Sequence, residues 1–208
     1  MKSRRAMLSA LGFGLSGLAL AAVASPGAPQ ARKASPRGGR ASHAWRMPQA
    51  VVQDQDGREF KFYDDLIRDK LVLISFASVD GEKRFPIVDN LVKVQQMVRD
   101  RLGKDLFIYT VTTKPQVDTP AALKAFAAKK GAHWQFLTGK TEEIAKIKTT
   151  LGVMGSIHGL LWIGNDRSGR WLSKPARLQP LFISESLAFL STGAQHKQFL
   201  KDMRSVKS

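Results

Sequence analysis

The sequence predicts an α/β domain, a three-layer α/β/α sandwich with a central mixed sheet. Three observations predict it. Leu71–Phe76 and Leu106–Val111 are short, continuously apolar, β-prone runs, the pattern of central strands covered on both faces. Between them Ile87, Val88, Leu91, Val94, Val98 and Leu102 recur at helical spacing, so a crossover helix links two parallel strands. From residue 48 onward helix and strand patterns alternate, as they do where helices cover a sheet.

Taken in order, Val52-Gln-Asp-Gln-Asp-Gly57, followed by Phe60 and Phe62, predicts a small hairpin ahead of the first central strand. Beyond the second central strand, Asp118-Thr119-Pro120 offers an N-cap and a proline for the first helical position. Leu123, Phe126 and Ala127 then make the inner stripe of a second helix. Trp134–Leu137 returns as a strand. Thr141 opens a third helix, with Glu142 and Glu143 near its positive end, Ile144, Ile147 and Leu151 facing inward, and Gly152 as its stop. Gly159–Ile163 and Arg170–Leu172 flank Asn165-Asp-Arg-Ser-Gly169, a hairpin around a polar turn. A helix from Ser184 to Met203, broken around Gly193, closes the chain. Trp45, Trp134, Trp162 and Trp171 fall on or beside strands and read as core or rim packing.

Composition narrows the chemistry. The chain has 208 residues, 43% of them hydrophobic, which supports one ordinary folded domain. It contains no cysteine, which excludes disulfides, thiolate metal sites, thiol nucleophiles and dithiol exchange together, since each needs a sulfur atom. The net charge is +16, from 33 Lys and Arg against 17 Asp and Glu, and favours anionic partners. Lys114, Lys129, Lys130, Lys146 and Lys148 lack the interleaved exposed aromatics of a single-strand nucleic-acid groove, so nucleic acid is not an expected partner.

Residues 1–24 read as a signal peptide: a basic start, an apolar run from Ala6 to Val23, and Ala22-Val23-Ala24 as a small-residue cleavage site. Arg4-Arg5, preceded by Ser3 and followed by Met7-Leu8, looks like a twin-arginine export address. The alternative is an uncleaved anchor, because this run is at the lower edge of membrane-span length. Either reading places the domain outside the cytoplasm, in the periplasm or its equivalent. Cleavage removes Lys2, Arg4 and Arg5 and leaves a charge of +13. Residues 25–47 carry Arg32, Lys33, Arg37, Arg40 and Arg46 and no acid, amid Ser, Pro, Gly and Ala, a basic flexible linker that could hold the domain near an anionic membrane. The domain proper is then 48–208.

Over roughly residues 50–172 the order of elements and several local strings resemble the Sco/SenC family of thioredoxin-like copper chaperones, which act in cytochrome c oxidase assembly. The strings are Asp54-Gln-Asp-Gly57, Leu71–Phe76, Asp118-Thr-Pro120, Leu137-Thr-Gly139 and Glu142-Glu-Ile144. The resemblance implies a thioredoxin-like fold. In that family the strand ending in Phe leads into a loop whose two cysteines hold copper with a distant histidine. Ungapped counting from Phe76 puts Gly81 and Phe85 at the cysteine positions, with Pro86 matching the second proline, while the histidine corresponds to His158. The aspartate usual before that histidine is Ile157.

One ligand position of three therefore survives. A soft copper(I) ion wants thiolates or thioethers, and one imidazole does not replace two sulfurs. Met154, four residues before His158, is the one thioether at hand, with Asp80 as a hard ligand, so no cofactor is expected and copper is the alternative. The loop residues Asp80, Glu82, Lys83 and Arg84 read as polar, exposed and available to a partner. The expectation is a non-enzymatic accessory protein that binds an exported partner, an oxidase subunit or a copper-handling protein. Two alternatives stand beside it: a module binding membrane surfaces or anionic ligands, and an enzyme with a non-thiol site at Asp80, Glu82 and His158.

Overall fold

A computed structural model describes residues 47–153 and 159–192. The expected signal peptide with Arg4 and Arg5, the linker before Met47, the pair Met154 and His158, and the chain beyond Thr192 lie outside the described residues.

Leu71–Ala77 (β3) and Leu106–Thr112 (β4) run parallel in full register, Leu71 opposite Leu106 through to Ala77 opposite Thr112. All seven residues of β3 are buried, because both of its faces are covered. Along it Leu71, Leu73 and Ala77 enter one core while Val72, Ile74 and Phe76 enter the other, the two-residue alternation of a pleated strand. Gln135–Thr138 (β5) extends the parallel set beside β4. Val51–Asp54 (β1) and Glu59–Lys61 (β2) add an antiparallel edge on that side. Leu160–Asn165 (β6) and Arg170–Pro175 (β7) add another beside β3. The sheet order is β2-β1-β5-β4-β3-β6-β7.

Ile87–Val98 (α1), Pro120–Lys130 (α2) and Pro180–Ser191 (α4) cover one face, through Leu91, Val94, Phe126, Ile183 and Leu187. Thr141–Thr150 (α3) covers the other through Ile144 and Ile147, beside a wide helical turn over Phe62–Ile67. The expected mixed-sheet α/β/α sandwich is the observed one.

Several boundaries differ for physical reasons. The start of α2 is not among them: Thr119 is the cap, its hydroxyl accepting the Ala122 N–H, and Pro120 takes the first helical position as expected. Helix α1 stops at Val98, and Leu102 instead bridges to Leu106. Phe62 leaves the hairpin: Phe62, Tyr63, Leu66 and Ile67 bury one side of the helical turn, a pattern too short to read as a helix from sequence. The last helix begins at Pro180, four residues before the expected Ser184, with the proline at its first position. Met47, assigned by sequence to the linker, is buried in the core beside Ala50 and Val52, so packing reaches one residue further toward the N-terminus. Gly152 does end α3 as expected, at φ 65°.

Candidate functional site

In a parallel set of strands the carboxyl ends gather the connecting loops, and here the loop Ser78–Pro86 joins β3 to α1 beside the start of the β4–α2 connection. Asp118 ties the two connections together. It is buried, accepts the Thr112 hydroxyl at 2.5 Å and lies 3.4 Å from the Val79 N–H. Ser78 is also buried, and its hydroxyl accepts the Gly81 N–H at 3.2 Å. The loop is therefore anchored at its root, with Gly81–Lys83 coiled into a single tight turn.

The four polar side chains expected at this loop part company. Asp80 is exposed and bonded to the Lys114 ammonium at 2.5 Å, which holds its carboxyl below the usual range. Lys83 and Arg84 are exposed as expected. Glu82 is not: only 3% of it is accessible. Its two oxygens turn inward and accept the N–H groups of Ile87 at 3.2 Å and Asp89 at 3.0 Å. The reason is elementary. The first amides of α1 have no partner within the helix, the residue before α1 is Pro86, which offers no capping side chain, and the carboxylate supplies both bonds and a charge matched to the helix dipole. Burial pushes the Glu82 carboxyl above its ordinary value despite those bonds.

Phe85, at the position that the sequence resemblance matches to the second cysteine, is half-buried beside two guanidinium groups. Arg84 stands 5.7 Å from its ring centroid and Arg177 5.3 Å. Phe85, Pro86, Ile87, Gly159, Pro175 and Ala176 line a small apolar cleft of about 160 Å³. Asn90 of α1 holds the far wall, donating to the carbonyls of Ala176 at 2.8 Å and Leu178 at 2.9 Å. Sequence reasoning missed Arg177 and Asn90. Some 90 residues separate them in the chain, and only the docking of the β7–α4 connection against α1 unites them.

Among the described residues the donors do not suit copper(I). No cysteine exists in the chain, and Glu82 is committed to backbone amides and Asp80 to a lysine. Among the described residues no three His, Asp or Glu side chains gather as a metal site. Nor are Asp80 and Glu82 poised as an acid–base pair, since each is bonded to a different partner. His158 and Met154 lie outside the described residues.

These features define the class: a thioredoxin-like domain with a loop at the carboxyl ends of its central strands and no thiol on it. The yeast Sco1 crystal structure matches at 16% identity with a TM-score of 0.61, covering 71% of this chain and 98% of the other. Bradyrhizobium japonicum ScoI with copper bound matches at 19% identity and 0.54, covering 69% and 98%. BsSco, described as a member of the Sco family of cytochrome c oxidase assembly proteins, matches at 20% and 0.57, covering 68% and 91%. The SCO1/SenC family model matches residues 87–158. No curated protein sequence matches. Over residues 87–158 the chain is similar to the SCO1/SenC family, its fold matches that of Sco proteins, and it contains no cysteine.

Proposed function

We propose that this chain is an exported, non-catalytic accessory protein. In this reading it meets another exported protein during assembly of cytochrome oxidase or another copper enzyme, with the loop Asp80–Phe85 as its contact. The observation that carries the reading is the state of that loop. Where the resemblance puts two thiolates stand Gly81 and Phe85, and the guanidinium groups of Arg84 and Arg177 both lie against the ring of Phe85. The neighbouring carboxylate of Glu82 is taken up in closing α1. A loop with this chemistry can present cations around an apolar cleft; it has no sulfur to give a metal or to reduce a disulfide. The oxidase context draws support from BsSco, and the Arg4-Arg5 signal supports export.

The reading is tested in the source cell by exchanging the chromosomal copy for a Lys83→Glu/Arg84→Glu variant. Both side chains are exposed, so the fold survives. The expected result is a fall in assembled oxidase activity with the variant protein at normal abundance. Full oxidase activity in the variant, or in a strain lacking the protein altogether, overturns the proposal.

A further inference from the structure

Helix α4 is apolar on both sides. Ile183, Leu187 and Leu190 recur at helical spacing and fill the core. On the opposite side Leu181, Phe182, Ala188 and Phe189 face outward, with exposures of 52% for Leu181, 46% for Phe182 and 39% for Phe189. Met97 of α1, 54% exposed, adjoins them: its sulfur is 3.6 Å from the Ser184 hydroxyl. Of the six large apolar side chains exposed among the described residues, four meet on this one surface. Scattered singly they would need no explanation; gathered, they mark a surface that something covers.

The cover is indicated by charge. Lys93 and Arg101 flank Met97 at four-residue spacing, and Arg101 reaches the end of α4, 3.4 Å from the Ser191 hydroxyl. On the other flank the Arg170 guanidinium lies 4.4 Å from the Phe189 centroid. Against these stand Glu185, exposed on that same outer face between Leu181 and Phe189, and Asp105, which is paired with Arg101 at 2.7 Å. A second copy of this chain would bring another basic domain, with 21 Lys and Arg against 16 Asp and Glu over residues 47–192. The chain's own residues 193–208 would bring Lys197, Lys201, Arg204 and Lys207, with Asp202 as the one acid, against the same arginines.

We propose that the outer face of α4, with Met97, rests on an anionic lipid bilayer. Phe182, Phe189 and Leu181 enter the boundary between headgroups and acyl chains, and the flanking guanidinium groups meet the lipid phosphates. This surface lies in the folded domain and is separate from the loop that carries the proposed partner contact.

Because the chain has no cysteine, a single one can be placed at will. The full chain carrying Ala188→Cys on α4, or Ala145→Cys on α3 in the opposite layer, is labelled with an environment-sensitive fluorophore. Each is mixed with vesicles of phosphatidylglycerol and phosphatidylcholine, or of phosphatidylcholine alone. The expected result is a blue shift at position 188 with the anionic vesicles only, and none at 145. Adding Leu181→Ser/Phe182→Ser/Phe189→Ser, which are surface changes, should weaken that response about tenfold or more at an unaltered melting temperature. The proposal is overturned if 188 stays in water while the protein sediments with the vesicles, if neutral vesicles serve as well, or if the triple variant responds like its parent. A label at 188 already shielded without vesicles also overturns it. Dependence on protein concentration would then assign the face to a second copy, and release on deleting residues 193–208 to the tail.

Discussion

Glu82 and Phe85 carry the argument at the scale of single residues. The loop's composition alone makes Glu82 one polar group among four, and nothing in its local spacing separates it from Asp80 or Arg84. What turns it inward is the unmet hydrogen bonding of α1, visible only once Pro86 is known to leave the helix start without a capping side chain. Its titration gives a test. The folded-state value is raised above the ordinary 4.5, so its contribution to stability is fully present below that pH and is lost as pH rises through the raised value. The unfolding free energy of the native chain, relative to a Glu82→Gln variant, should therefore fall as pH is raised from 4.5 through the mildly acidic range. Denaturant titrations at a series of pH values read this directly; a difference that is flat or rises with pH contradicts the burial of Glu82.

At the scale of elements, most of the fold was legible because each strong pattern had one physical cause. The continuously apolar Leu71–Phe76 could only be covered on both faces, and Thr119-Pro120 could only start a helix. The misreadings fell where the deciding contact is distant in sequence. The turn Phe62–Ile67 is held by the far core rather than by local periodicity, and Met47 is recruited by the same core. One close approach was likewise invisible: a Cβ at Gly164 of β6 would lie 2.2 Å from the Trp171 ring on β7. A Gly164→Ala change must move that indole or part the hairpin, and overpacking of this kind costs about 3 kcal/mol. Urea unfolding should show the loss, while a variant as stable as the parent would mean that Trp171 has room to turn.

On the scale of the whole molecule, the fold matches that of Sco proteins while the chain has no cysteine, and its net charge is +16. The cationic balance could be read from composition; its arrangement could not. Arg84 and Arg177 reach one phenylalanine from distant parts of the chain, and Arg101 and Arg170 approach α4 from a turn and a strand. The absence of thiols, by contrast, was fully legible, because a missing residue type needs no fold to interpret it. The central claim, that this domain works by contact and not through copper, is tested most directly by anaerobic titration of the full chain with copper(I) against a chromophoric chelator, alongside a His158→Ala variant. The account predicts that neither protein competes for stoichiometric copper(I); tight one-to-one binding by the native chain, lost in the variant, would contradict it.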